Sequence, residues 1–241
     1  MKTGQNDFGT VLSTNAVSQF HGSGEARVAA VRGVTVEIPR GAWTSVTGPS
    51  GSGKTSLLHL LAGLSTPDSG TVSLHRAGRS SRRKDGGEVV LSSLSENARA
   101  KLRRTELGVV FQDFNLVPVL SVADNIRLPL RLARRRTDNA WFDEVVGTLG
   151  LRDRLRHLPH ELSGGQRQRA AVARALLPRP SVIFADEPTG NLDSESGERV
   201  LDLFRRLVDD YGQTLVMVTH DPSAAARGDH LIRMRDGRVQ A

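Results

Sequence analysis

The chain has 241 residues, room for one full α/β core or one core plus a small subdomain. Apolar residues make up 38% and charged residues 24%, a globular composition; with no cysteine, structural disulfides and cysteine-held zinc are excluded, which suits a reducing compartment. The net charge of +7 is uneven, with nine basic residues (Arg76, Arg79, Arg82, Arg83, Lys84, Arg99, Lys101, Arg103, Arg104) against three acidic ones between Arg76 and Arg104.

Met1–Thr10 is polar and carries no apolar secretion core. Val34–Ile38 alternates apolar and polar residues before Pro39-Arg40-Gly41, which reads as a strand and a turn. Trp43–Thr47 reads as a second strand. Lys54–Leu64 has leucines at helical spacing, and Thr66-Pro67-Asp68-Ser69-Gly70 is a turn before a short strand at Thr71–Leu74. Arg76–Glu96 has weak periodicity and is expected to be an exposed basic loop or insertion. Its arginines, with Arg131 and Arg134–Arg136, suit a solvated surface, an anionic lipid surface or a nucleic-acid patch. Aromatic residues are only 4% and do not alternate with these arginines, so base-stacking recognition lacks its platform.

Leu107–Phe111 resumes strand character. The pattern from Ser121 to about Leu177 is mainly helical, with a break near Leu158-Pro159. Val182–Ala185 suits a buried strand, Glu198–Asp210 an amphipathic helix, and Leu215–Thr219 another buried strand. Asp221-Pro222 then resembles a helix N-cap followed by proline. No apolar run approaches the ~20 residues of a membrane helix, so any work at a membrane needs a partner to supply the span. Strands alternating with helices in the first and last thirds, around a helical block, predict a parallel-sheet core with an inserted helical subdomain.

Gly48-Pro49-Ser50-Gly51-Ser52-Gly53-Lys54-Thr55, with Ser56 behind it, lies between a predicted strand and a predicted helix. Glycines let several backbone N–H groups converge on a triphosphate, and the helix N-terminus adds positive charge there. Lys54 is expected at the β- and γ-phosphates of ATP. The Thr55 hydroxyl is expected on Mg²⁺, a cation that prefers oxygen. Asp186 and Glu187 follow the apolar run Val182–Ala185, where a parallel sheet gathers its ligands. Asp186 is the metal-side candidate, and Glu187 the base or water-orienting group.

Leu162-Ser163-Gly164-Gly165-Gln166 ahead of that acidic pair resembles the signature of the ABC ATPase family, and it makes a stand-alone P-loop kinase improbable. The resemblance covers nearly the whole chain. It implies a P-loop NTPase core of mainly parallel sheet with an antiparallel β subdomain (1–115 and 163–241), a helical subdomain (about 116–162), and a basic insertion at 76–96 that departs from the pattern. It also implies a head-to-tail dimer of two copies, in which the signature of one contacts the ATP of the other. Gln112 resembles the glutamine that senses Mg²⁺ and the membrane partner. Asn191-Leu192-Asp193 resembles the D-loop, with Asp193 the residue of interest, and His220 the histidine that contacts the γ-phosphate. Phe20 is the candidate for stacking on adenine, with Phe8 competing. Phe111–Pro118 and Asp186–Asp193 resemble the subgroup of lipoprotein-releasing, macrolide-exporting and cell-division ATPases. That implies a permease with few membrane helices and a large extracytoplasmic domain, and a place on the cytoplasmic face of the membrane. The alternative is a nucleic-acid-associated ABC ATPase. Against it stand the lack of room for a long coiled coil, the absence of cysteine zinc sites and the presence of a single cassette.

Overall fold

A computed structural model describes residues 9–22, 28–76 and 87–240. Two sheets organise them. The first is antiparallel and joins β1 (Thr10–His21), β2 (Val28–Val34), β5 (Ser69–His75) and β6 (Glu88–Val90) in the order β2-β1-β5-β6, with β3 (Glu37–Pro39) paired to β1. The second runs β11 (Arg238–Gln240), β10 (His230–Arg235), β4 (Trp43–Thr47), β9 (Thr214–Val218), β8 (Val182–Asp186), β7 (Leu107–Val110). Its pairs are parallel except for β10 with β11.

Strands β7, β8 and β9 of the second sheet read as near-continuous apolar runs because both faces are covered there. Alternate residues go to different cores. Trp43, Ile183, Ala185, Leu215 and Met217 join a cluster with Phe204 and Ala171. Val46, Val182, Phe184, Val216 and Val218 join one with Leu57, Leu61 and Leu12. The helices α5 (Gly164–Leu176) and α6 (Ser194–Tyr211) lie on the first face, and α1 (Lys54–Leu61) with the antiparallel sheet lies on the second. Between Leu116 and Leu162 the chain holds α3 (Val122–Leu132) and α4 (Asn139–Thr148), whose Val122, Ile126, Phe142 and Val145 extend the first cluster. Ser121 and Asp138 cap these two helices through their own side chains. A short α7 (Pro222–Ala225) starts at Asp221, which accepts from the Ser223 N–H at 2.8 Å. No helix among the described residues is long and apolar enough to cross a membrane.

Three expectations change. The expected strand at Val34–Ile38 is two strands with a break at Thr35-Val36, because the Thr14 hydroxyl takes the Val36 N–H (3.0 Å) and the Thr35 hydroxyl takes that of Ala16 (2.9 Å). The long strand β1 went unread, since bulges between Val17, Gln19 and Phe20 disturb its alternation. The expected loop at 76–96 is not a loop throughout. Residues 77–86 lie outside the described residues, but Glu88–Val90 pairs with β5, Leu91 is buried, and α2 (Glu96–Arg103) begins at the Ser95 cap. The stretch is also less free electrostatically than its charge suggests, because Arg76 is tied to Glu106 at 2.6 Å and Arg99 and Arg103 to Glu96 at 2.8 and 2.6 Å.

Candidate nucleotide site

The loop between β4 and α1 is pressed from two sides. A Cβ on Gly53 (φ +95°) would lie 2.0 Å from the Ala30 carbonyl oxygen of β2, and one on Gly48 (φ +152°) 2.2 Å from that of Met234 in β10. Only glycine fits where two strands pack so close to a loop turned through positive φ. Lys54 is buried and spans the loop, donating to the carbonyls of Gly48 (2.8 Å) and Pro49 (2.9 Å). The Ser52 hydroxyl is buried with no protein partner among the described residues.

β8 delivers the acidic pair to this loop. The Thr55 hydroxyl donates to Asp186 Oδ1 at 3.1 Å. Burial pushes the Asp186 carboxyl above its usual range, while the Thr55 hydrogen bond and His59 pull it down. A hydroxyl and a desolvated carboxylate side by side are the hard oxygen donors Mg²⁺ takes when substrate phosphates complete its shell. Among the described residues no cluster of three His, Cys, Asp or Glu could hold a metal by itself, so these two residues fit that mode and not an all-protein cage. Glu187 sits at φ +43°, a left-handed conformation that costs a non-glycine residue about 1–3 kcal/mol and tends to mark functional positions. Its Oε2 is 3.1 Å from Nδ1 of His220 at the end of β9.

Ser50, Gly51, Gly53, Lys54, Thr55, Ser56, Glu187 and His220 line one cleft of about 670 Å³, together with His21, Val28 and Ala30. Phe20 does not line it. Phe20 is 37% exposed and its backbone N–H donates to Asp68, whereas the next residue, His21, contacts Ser56 Oγ at 3.2 Å. Phe8 lies outside the described residues. Strand alternation on β1 could have raised His21 as a candidate, but only once the strand itself was recognised.

Ser163, Gly165 and Gln166 line a second cleft of about 700 Å³ with Arg169, Ser196 and Arg199. Ser163 caps α5: its hydroxyl accepts from the Gln166 N–H at 3.3 Å, and Gln166 Oε1 accepts from the Ser163 N–H at 2.9 Å. Leu162 is buried, and Gly164 lets the helix start pack on Leu192, 3.2 Å from where a Cβ would stand. Asp193 caps α6 by accepting from the Ser196 N–H at 2.8 Å, and hydrogen bonds with Ser196 hold its carboxyl below the usual range. Burial and neighbouring Arg199 lower Arg169, a cationic cleft residue that no motif had flagged.

Gln112 is in neither cleft. Its Nε2 donates to Asn191 Oδ1 at 3.3 Å, and Asn191 Nδ2 donates to the Gln112 carbonyl at 3.2 Å.

Residues 31–190 match the family described as ABC transporter. The chain belongs to the ABC transporter family. It is an ATP-binding, ATP-hydrolysing subunit of that family. It is 40% identical over 240 residues to a "Lipoprotein-releasing system ATP-binding protein LolD" of Bordetella pertussis, with 99% of each chain covered. It is 42% identical over 221 residues to a "Macrolide export ATP-binding/permease protein MacB" of Syntrophobacter fumaroxidans, covering 90% of this chain and 29% of that longer one. Among solved structures, the dimeric post-hydrolysis state of the ATP-binding cassette MJ0796 bound to ADP and Pi superposes with a TM-score of 0.82 at 34% identity, covering 95% of this chain and 97% of that one. This ABC subunit thus has the α/β cassette fold, with its mainly parallel sheet, its antiparallel sheet and its added helices.

Proposed function

We propose that two copies of this ABC subunit clasp two MgATP molecules head to tail, and that closing and opening of the dimer drives a separate membrane permease. The observation that carries the reading is that the two clefts share no lining residue: Lys54, Glu187 and His220 line one, Ser163, Gln166 and Arg169 the other. Each contains the start of a helix that offers N–H donors to an anion, and neither surrounds a triphosphate alone. Bringing the second cleft of one copy over the first cleft of another would surround it. The dimeric, ADP- and Pi-bound state of the MJ0796 cassette supports pairing of two copies with nucleotide present.

In this reading the Gly48–Gly53 loop, Lys54 and Ser56 bind the phosphates of ATP. Thr55 and Asp186 hold Mg²⁺, with Gln112 joining them. Mg²⁺ when bound would offset phosphate charge. Glu187 takes the proton from the water that attacks the γ-phosphorus, giving ADP and phosphate. His220 holds Glu187 from one side and faces the γ-phosphate. Ser163, Gly164 and Gly165 act on the partner's nucleotide, and Asp193 carries the state of one site to the other. Phe20, one residue beyond the cleft wall, is the aromatic platform for adenine.

The helices between 116 and 162 pass the motion to the permease. In this reading the permease has few helices and a large extracytoplasmic domain and the subunit sits on the cytoplasmic face of the membrane; the relative named as the ATP-binding protein of a lipoprotein-releasing system supports only that there are further components to drive. The longer macrolide exporter supports a permease that here is a separate chain. Exposed Lys101, Arg104, Arg134, Arg135 and Arg136 would meet anionic headgroups there.

The test is the Glu187→Gln chain with saturating ATP and Mg²⁺, followed by light scattering. It should bind ATP with wild-type affinity, turn over at least a hundredfold more slowly and double in mass. A monomer that binds ATP under these conditions overturns the head-to-tail reading, and wild-type turnover removes Glu187 from the chemistry.

A further inference from the structure

Successive residues at the start of α1 face different supports. Lys54 donates into its own loop, the Thr55 hydroxyl donates to Asp186 on β8 at 3.1 Å, and Ser56 Oγ lies 3.2 Å from His21 Nε2 at the end of β1. The two hydroxyls are alike in chemistry but differ in their partners. A carboxylate only accepts, so the Thr55 proton goes to Asp186 and the Thr55 lone pairs stay free for a cation. An imidazole can donate from Nε2; Ser56 then accepts from His21 and keeps its own O–H to give elsewhere. Only that polarity suits an anion in the cleft. Were Nε2 the acceptor, the Ser56 proton would be turned away from the phosphates. His21 lines the same cleft as Lys54, Thr55 and Ser56, and β1 holds it there by pairing with β2 at Val28.

We propose that His21 is a positioning residue of the nucleotide site: by donating to Ser56 Oγ it turns the Ser56 proton toward the phosphate chain of ATP. The proposal rests on the reading that Ser56 binds phosphate. It gives neighbouring hydroxyls of one helix opposite roles, and the strand on either side of α1 sets which. An acid on β8 aims Thr55 at the cation, and a base on β1 aims Ser56 at the anion. This task differs from that of an adenine platform, because it acts on phosphate whatever base the ligand carries.

The test uses the full chain in EDTA, so that no metal supports turnover. A fluorescent ATP analogue is displaced by ATP or by inorganic tripolyphosphate, which has no base. His21→Leu keeps a bulky side chain and removes the donor. It should weaken both competitors about three- to thirtyfold, the loss expected for one hydrogen bond to an anion. His21→Gln, whose amide donates from a similar reach, should recover most of that loss. Beside Ser56→Ala, His21→Leu should weaken binding no further. Unchanged affinity in His21→Leu, a loss confined to ATP, a Gln variant as weak as the Leu variant, or a loss that persists beside Ser56→Ala overturns the proposal. Failure of the underlying reading looks different: Ser56→Ala alone would then leave the affinity for tripolyphosphate intact.

Discussion

Arg174 offers the sharpest test of how the signature helix is joined to the Gln112 loop. It lies on α5, donates to the Phe114 carbonyl at 2.8 Å and also to that of Asn115, and these two residues sit at φ +61° and +46°. Two successive left-handed residues cost about 1–2 kcal/mol each, so the turn needs an external hold. Two hydrogen bonds from a charged donor contribute about 3–6 kcal/mol. Against this, burial pulls the Arg174 guanidinium down to about 10, a cost of about 3 kcal/mol for keeping it charged inside the fold. Replacing Arg174 by Met keeps the aliphatic stem and removes both terms. The net loss should be at most about 3 kcal/mol, or a drop of up to about 12 °C in Tm. Amide exchange should accelerate most at Phe114 and Asn115, whose N–H groups bond only within the turn, to Phe111 at 3.1 Å and Asp113 at 2.6 Å. Urea unfolding with mass-resolved hydrogen exchange reads both quantities. A Met variant with the wild-type midpoint and wild-type exchange at this turn refutes the reasoning. If Arg174→Lys restores both, a point charge and not the forked geometry holds the turn.

Phe20→Ala should weaken ATP binding about five- to hundredfold if its ring carries the adenine, the range expected for one base–aromatic stack; unchanged affinity, with a loss in His21→Ala, would move the platform to His21. Glu96 is held at about 2 by hydrogen bonds from Arg103 and then Arg99. A depressed carboxylate contributes stability that is fully present above its unfolded value near 4.5 and is lost as pH falls toward 2. The wild type should therefore exceed Glu96→Gln in urea midpoint at pH 6, with the gap closing between pH 4.5 and 2; a gap that does not change with pH would count against this pairing.

How far the sequence spoke depended on whether a feature was local. The strand Trp43–Thr47, the helix after it and the cap at Asp221 are set by neighbours in the chain, and they were legible as periodicity and turn chemistry. The glycine-rich loop was legible for a related reason: its glycines are demanded by backbone that comes within 2.0–2.2 Å of a Cβ position. β1 was not legible, because its bulges and the positive φ of Ala16 break the alternation that marks a strand. β6 was hidden in a stretch whose composition resembles a loop; only pairing with β5 across the intervening residues makes it a strand. The resting place of Gln112 was equally out of reach, since Asn191 lies 79 residues away and nothing in either motif says that their amides meet.

These long-range contacts converge on one element. α5 begins at the Ser163 cap in the second cleft and packs its Gly164 against Leu192. One turn further, Arg167 stands over the Phe114 ring, 5.1 Å from its centroid, and two turns after that Arg174 takes the carbonyls of Phe114 and Asn115. Its other end meets β7 at Gly108, where a Cβ would lie 2.8 Å from the Ala175 carbonyl. Such close packing resists small elastic adjustment, so α5 moves against the sheet as a body or not at all. A helix that is rigid in this sense cannot shift its signature end without dragging Phe114, and Phe114 is two residues from Gln112. In the proposed head-to-tail dimer, pulling on the Gln112 loop would therefore move the surface offered to the second copy, and docking of that copy would tighten the Gln112 loop in return.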